Sequence, residues 1–99
     1  MKTNTITGGQ EMSIEQEYDQ ASRSPSTGKL YMPSLKWGGW MVPENGARNS
    51  FGSHLYNTKG LAIAKAKQEA RDYKATVYVF ARKQDGCKLV ATISGATLA

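Results

Sequence analysis

The chain has 99 residues, a formal net charge of +5 and a single cysteine. That length allows one domain with a modest core, so we expect marginal stability unless the domain oligomerises or binds a partner. One cysteine excludes an intrachain disulfide, which small secreted domains usually need, and this favours a cytoplasmic location. No apolar signal-peptide core and no stretch long enough to span a membrane are present, so no membrane partner is expected.

Charge divides the chain near residue 28. Residues 1–28 carry two basic and four acidic side chains, whereas residues 29–99 carry eleven basic and four acidic ones. In the first segment isolated apolar residues lie among polar ones, a composition that does not offset the entropy lost on ordering. We therefore predict a disordered or weakly ordered flexible tail over 1–28, which allows one helix over Met12–Gln20, and a small basic domain over 29–99. Deletion of residues 1–26 is expected to leave the fold intact.

Two strands are predicted before the central helix. Lys36–Val42 is the first strand, and its Gly38-Gly39 pair indicates a bulge or a close approach to the backbone. The turn Pro43–Gly46 contains Asn-Gly, a strong hairpin signal, so Ala47–Tyr56 is expected to return as the second strand. Leu30–Leu35 is also strand-like, but its proline restricts it to an edge strand or an extended lead-in.

A helix follows, with Asn57 or Thr58 as its N-cap and its end near Ala75. The segment is rich in Ala, Lys, Gln and Glu, which are good helix formers. A rotation of 100° per residue places one set of side chains on a single face: Ala62, Ile63, Ala66, Ala70 and Tyr73. Because that face is mostly alanine, the helix can lie close against a sheet.

Two further strands complete the pattern. Thr76–Arg82 has the highest content of β-branched and aromatic residues, and the Asp-Gly turn in Lys83–Gly86 joins it to Cys87–Ser94. The order strand, strand, helix, strand, strand predicts an α+β fold, with an antiparallel sheet of about four strands and one helix packed on one face.

Short motifs in this pattern resemble a known family. Gly39-Trp40-x-Val42, Thr58-Lys59 before the Ala-rich helix, and Asp85-Gly86 resemble the G-W-x-V, T-K-x-x-A-I-x-x-A and D-G layout of small bacterial and phage domains of unknown function. The likeness covers about residues 36–90 and implies a fold rather than an activity. The first half is also similar to the arm-type DNA-binding domain of tyrosine recombinases. This chain departs from that pattern because its second strand is poor in Arg and Lys and two strands follow the helix, so no DNA-reading residue is carried over.

Side chains that could support catalysis are few. His54 is the only histidine and Cys87 the only cysteine, and no motif links them, so no nucleophile with an oriented base is predicted. One Cys and one His do not make a metal site, and the glycine spacing matches no phosphate-binding loop. We therefore predict no enzyme activity, no catalytic residue, no metal or cofactor and no small-molecule substrate.

Alternation along TVYVFAR separates the two faces of that strand. One face carries Val77, Val79 and Ala81, and the other carries Tyr78, Phe80 and Arg82. The small aliphatic face suits an alanine-faced helix, which would leave two large rings on an open sheet face. If the helix instead covers the rings, the valines lie outside and no binding face is left. Substituting Tyr78→Ser and Phe80→Ser distinguishes these cases, because buried rings would unfold the domain whereas exposed rings would only lose binding.

The predicted function is a non-enzymatic binding or regulatory module, phage- or mobile-element-like, that engages a protein partner or its own copy through the open face. Large aromatic side chains dominate binding hot spots, and cations at the rim steer acidic partners. The predicted partner-binding residues are Trp37, Trp40, Tyr78, Phe80 and Arg82, with a basic rim of Lys67, Arg71, Lys74, Lys83 and Lys88. The alternative is a nucleic-acid-binding module that holds phosphates and bases on the same surface.

Overall fold

The computed structural model describes residues 13–43 and 52–95. Within them the element order is α1 Ile14–Ala21, β1 Trp37–Pro43, β2 Gly52–Tyr56, α2 Lys59–Tyr73, β3 Ala75–Ala81 and β4 Lys88–Ser94. The strands form one antiparallel sheet in the order β2-β1-β3-β4. The predicted α+β class, the four-stranded antiparallel sheet and the order strand, strand, helix, strand, strand are confirmed.

The predicted strand positions agree closely with the observed ones. β1, β3 and β4 begin and end within about one residue of the predicted bounds, because the alternation that marks them is local. β2 is the second half of the predicted strand Ala47–Tyr56, and residues 44–51, with the predicted Asn-Gly turn, lie outside the described residues. Leu30–Leu35 is a turn-rich segment in which Leu30 alone forms an isolated bridge, to Arg23, so it is neither the edge strand nor the extended lead-in that was predicted.

α2 packs its alanine face on the sheet. The helix begins at Lys59 because the extended residue Thr58 caps it, with Oγ1 accepting the N–H of Leu61 at 3.1 Å. The buried residues of α2 are Ala62, Ala66 and Ala70, and they form one core cluster with Val77 and Val79. The prediction that the helix covers the valine face is therefore confirmed. Tyr73 was placed on the buried face, but it is 66% exposed because the helix ends there.

The opposite face of the sheet is covered by α1. A capping box starts this helix, since the N–H of Gln16 donates to Ser13 Oγ and the N–H of Ser13 donates to Gln16 Oε1. Tyr18 is 1% exposed and stacks on Phe80, with ring centroids 4.1 Å apart and planes 1° from parallel. It also meets Trp40 edge-on at 5.4 Å. The sheet is thus the middle layer between two helices, with a second core cluster under α1.

The predicted boundary between tail and domain is wrong for residues 13–28. Tyr18 in α1 and Leu30 after it belong to the same buried cluster as Trp40 and Phe80. Tyr18 is the one buried residue that α1 contributes, so the helix reaches the core without the repeated apolar residues by which a packed helix is recognised. Residues 1–12 lie outside the described residues. Deletion of residues 1–26 would remove Tyr18, so we now expect that deletion to destabilise the fold.

Polar side chains of α1 hold it along the edge strand β4. Glu15 accepts the backbone N–H of Leu89 at 2.7 Å, and Asp19 accepts that of Cys87 at 3.1 Å. Arg23 pairs with Asp19 at 3.0 Å and donates to the carbonyls of Lys83 and Gln84. Burial acts to raise the pKa of Asp19, but hydrogen bonds from Arg23 and Cys87 outweigh burial and hold that pKa below its ordinary value. The bond from Leu89 satisfies a backbone donor on the edge strand, and the bond from Cys87 satisfies one just before it.

Two adjacent glycines in β1 give a matched test of this packing. A Cβ added to Gly38 would lie 1.8 Å from the Tyr18 hydroxyl, whereas one added to Gly39 meets its nearest atom, in Tyr56, at 3.5 Å. We therefore expect Gly38→Ala to lower the free energy of unfolding by about 1–3 kcal/mol, because α1 must shift. Gly39→Ala should change it by less than about 1 kcal/mol. Urea denaturation of both variants checks this, and equal effects would mean that Tyr18 does not lie over Gly38.

Candidate functional site

The predicted partner-binding residues lie in different environments. Trp37 is half-buried against the α2 cluster, whereas Trp40 and Phe80 are 5% and 0% exposed beneath α1. Tyr78 is half-buried against the same cluster as Phe80, and Arg82 is only 3% exposed. The prediction that this aromatic face is open is wrong, because the chain's own α1 covers it. Trp40 and Phe80 are therefore not accessible to a partner in this arrangement, and Arg82 exposes only a small part of its surface.

The predicted basic rim is also divided. Arg71 and Lys74 lie where α2 ends and β3 begins, and Lys67 lies one turn earlier on the helix. Lys83 and Lys88 follow the other end of β3. All five side chains are exposed, but the length of β3 separates the helix group from the turn group. They do not surround one surface.

A groove of about 360 Å³ lies at the end of the sheet where β1 begins and β3 ends. We call it the Trp37 groove, and its lining residues are Leu30, Pro33, Lys36, Trp37, Ala81, Arg82, Lys83 and Gln84. Trp37 pairs with Ala81 across the two strands, which fixes the floor of the groove. The groove brings together three of the predicted site residues, namely Trp37, Arg82 and Lys83.

Arg82 holds the loop of residues 31–35, which contributes Pro33 to the groove. Its guanidinium donates to the carbonyls of Met32 at 2.9 Å, of Leu35 at 2.5 Å and of Tyr31. Its backbone N–H donates to the carbonyl of Lys36 at 2.7 Å. Met32 has a φ of 46°, in the left-handed region that non-glycine residues rarely adopt and that persists only where the surroundings impose it. Arg82 supplies those surroundings, because its hydrogen bonds hold the loop in this conformation.

The fixed loop presents large side chains to solvent. Tyr31 is 50% exposed and Met32 is 59% exposed, on the loop that also contributes Pro33 to the groove. Aromatic residues and methionine are enriched in the cores of protein interfaces. A loop that is already rigid loses less conformational entropy when it binds. The arrangement therefore has the composition and the rigidity of a binding surface.

The charge of the Trp37 groove has one sign. Lys36 and Lys83 are exposed at its rim, and within residues 13–43 and 52–95 no acidic side chain lines it. The hydrogen bonds of Arg82 go to neutral carbonyls, so they leave its positive charge in place beside the groove. A second groove of about 270 Å³ also reaches Lys83, but Glu15, Asp19 and Asp85 line it. Of these two grooves, only the Trp37 groove favours an anion.

His54 and Cys87 lie at opposite edges of the sheet. His54 is on β2, where Nε2 lies 3.2 Å from a carboxylate oxygen of Glu69. Cys87 precedes β4 and is 5% exposed, and burial raises the pKa of its thiol to about 11, so it is a poor nucleophile at neutral pH. Residues 13–43 and 52–95 hold no cluster of three His, Cys, Asp or Glu side chains suited to a metal ion. In the same ranges no helix is both long and apolar enough to cross a membrane.

Several residues of the groove were absent from the predicted site. The pattern predicts an edge strand or an extended lead-in for Leu30 and Pro33, and the start of a strand for Lys36. One signal was present in the sequence, since Leu-Tyr-Met is a compact apolar run that a proline keeps out of a central strand. Its link to Arg82 was not visible, because about fifty positions separate the guanidinium from the carbonyls that it binds.

No family model, curated protein or solved structure matches this chain. The resemblances to small bacterial and phage domains and to recombinase arm-type domains therefore stay predictions.

Proposed function

We propose that this chain is a small non-enzymatic binding module that engages an acidic segment of a partner protein in the Trp37 groove. The observation that carries the proposal is the combination of an apolar groove, bordered by a loop that Arg82 holds in place, with cations of one sign. Arg82 fixes the loop, Tyr31 and Met32 stand exposed on it, and Lys36 and Lys83 border the groove. A cytoplasmic setting, which the single buried thiol supports, and a phage- or mobile-element-like origin, which the motif resemblance supports, belong to the same proposal.

The chemistry of the groove indicates what the partner segment should contain. Lys36 and Lys83 favour carboxylates at the rim, where opposite charge raises the association rate. Leu30, Pro33 and the ring of Trp37 favour one large apolar side chain between those carboxylates. A desolvated apolar anchor surrounded by rim charges is the usual energetic pattern of a protein interface.

A protein partner is favoured over a nucleic acid by the position of the rings. Binding of single strands needs several accessible ring faces along a cationic track. Of the predicted rings, Trp37 alone lines the groove, while Trp40 and Phe80 are buried under α1. The cations of α2 continue toward the other end of the sheet rather than along the groove. Self-association through the aromatic face is disfavoured as well, because α1 occupies that face.

The proposal is tested with a displayed library of random peptides selected on the full chain. We expect the recovered peptides to be rich in Asp and Glu around one aromatic residue or leucine. Lys36→Glu combined with Lys83→Glu should lower their affinity by about tenfold or more, because the substitutions replace two attractive charges with repulsive ones. Fluorescence anisotropy of a recovered peptide measures the loss.

The matched control reverses two charges elsewhere. Lys65→Glu with Lys67→Glu makes the same change in net charge on the exposed face of α2 and should leave the affinity within about twofold of the wild-type value. Equal losses in both double variants would indicate a long-range charge effect and contradict the assignment of the groove. Tighter binding of a thymidine oligonucleotide than of every selected peptide, with a steep salt dependence, would favour the nucleic-acid alternative.

A further inference from the structure

Arg82 lies between α1 and the Trp37 groove. On one side its guanidinium holds the carbonyls of residues 31–35. On the other side it lies beside Tyr18 of α1. A Cβ added to Gly38 would lie 1.8 Å from the Tyr18 hydroxyl and 3.4 Å from the Arg82 Cδ, so these two side chains are close to each other. The Tyr18 hydroxyl and Arg82 Nε are both buried, and within the described ranges neither has a partner at full hydrogen-bonding geometry. Tyr18 therefore closes off Arg82 from solvent without making a strong bond to it.

The packing of α1 on the sheet determines how far Arg82 is shielded from water. Tyr18 is 1% exposed and Arg82 is 3% exposed, so the surroundings of this pair exclude water. This burial raises the pKa of the Tyr18 hydroxyl, which the nearby Ser22 and Arg82 offset only in part. Hydrogen bonds of a charged donor are stronger where water is excluded. If α1 moved away, water would compete for the Arg82 guanidinium. Its hydrogen bonds to the carbonyls of Tyr31, Met32 and Leu35 would then weaken. Met32 would then relax from its left-handed conformation.

The contacts of α1 allow it to open separately from the rest of the fold. Tyr18 is its one fully buried side chain, and its remaining contacts include the half-buried Ile14 and the hydrogen bonds of Glu15 and Asp19 to β4. α2, by contrast, buries three alanines against the centre of the sheet. Segments with few buried contacts open locally at a lower free energy than the core. Opening of α1 is thus the expected local motion on this face.

We infer that the packing of α1 on the sheet regulates the affinity of the Trp37 groove for its ligand. Tyr18 is the positioning residue, and it acts through Arg82. The inference rests on the proposed function of the groove and concerns its control. With α1 seated, residues 31–35 are fixed and the groove is ready to bind; with α1 displaced, the loop relaxes and affinity falls. By linkage, a ligand in the groove must stabilise the seated state of α1 to the same extent.

The test uses Cys87 as a reporter of α1, because it is the only cysteine and lies buried beneath that helix. Ile14→Ala with Glu15→Ala loosens α1 at the end that lies beside Leu89, away from the groove. We expect thiol labelling of Cys87 and hydrogen exchange of the Leu35 and Arg82 amides to accelerate by a common factor of about tenfold or more. Those two amides report the loop, since they donate to the carbonyls of Met32 and Lys36.

Two comparisons make the result decisive. The amides of Ala66 and Ala70 in α2 should keep their wild-type exchange rates, which separates local opening of α1 from global unfolding. If these two amides exchange faster as well, the measurement is repeated with Glu15→Ala alone. That single substitution removes one hydrogen bond and no core atoms. Faster labelling of Cys87 with unchanged exchange at Leu35 and Arg82 would overturn the inference. That outcome would leave the proposed function standing, because peptide binding to the wild-type chain is measured independently.

Discussion

Replacing Tyr18 with alanine is expected to lower the free energy of unfolding by about 3–5 kcal/mol, the cost of removing a fully buried aromatic ring. Tyr18 is 1% exposed and contacts both Phe80 and Trp40, so its loss leaves a cavity across the whole cluster under α1. A domain of this size has about 5–15 kcal/mol of stability in total. The melting temperature should therefore fall by more than about 10 °C, as followed by circular dichroism.

The matched control is Tyr73→Ala. Tyr73 is 66% exposed at the end of α2, so its removal should change the free energy of unfolding by less than about 0.5 kcal/mol. Both substitutions delete a tyrosine side chain, so the difference between them measures the contribution of burying Tyr18 between α1 and the sheet. Similar small effects at both positions would mean that α1 does not pack on the sheet.

Replacing Phe80 with serine is the second change with a large expected effect. Phe80 is 0% exposed and stacks on Tyr18, so serine would leave a cavity and a buried hydroxyl. We expect a loss of about 4 kcal/mol or more, enough to unfold much of the population at 37 °C. Tyr78→Ser removes a half-buried ring and should cost about 1–2 kcal/mol.

This pair of substitutions distinguishes a covered aromatic face from an open one. A covered face predicts that Phe80→Ser unfolds in urea at a much lower concentration than Tyr78→Ser. An open face predicts that both variants stay as stable as the wild-type chain and differ from it only in binding. The second result would restore the original prediction and remove the reason for placing the site at Trp37.

The sheet and α2 were predictable because their signals are local. Thr58 caps a helix whose alanines recur at helical spacing, and TVYVFAR alternates with a period of two. The same alternation correctly placed Phe80 opposite Val77 and Val79. The close approach expected at the Gly38-Gly39 pair is also present, since the Tyr18 hydroxyl lies over Gly38.

The occupant of the aromatic face was not predictable in the same way. One tyrosine in a polar segment carries the packing of α1, and a pairing between Tyr18 and Phe80 leaves no periodic trace in either segment. A weak signal did exist, because Ser13 and Gln16 have the spacing of a capping box. Alternation put Arg82 on the ring side of β3, but its burial depends on carbonyls of residues 31–35, and backbone acceptors have no signature in a sequence.

The most direct test of where this module binds is a heteronuclear NMR titration with a selected acidic peptide. The chain has two tryptophans, and they lie on opposite faces of β1, so their indole N–H signals report the two candidate surfaces separately. Binding in the Trp37 groove should shift the Trp37 indole and the amides of Lys36 and Lys83, while the Trp40 indole stays in place. Shifts of the Trp40 indole and of the Phe80 and Leu89 amides, with Trp37 unchanged, would contradict the groove and return the site to the aromatic face.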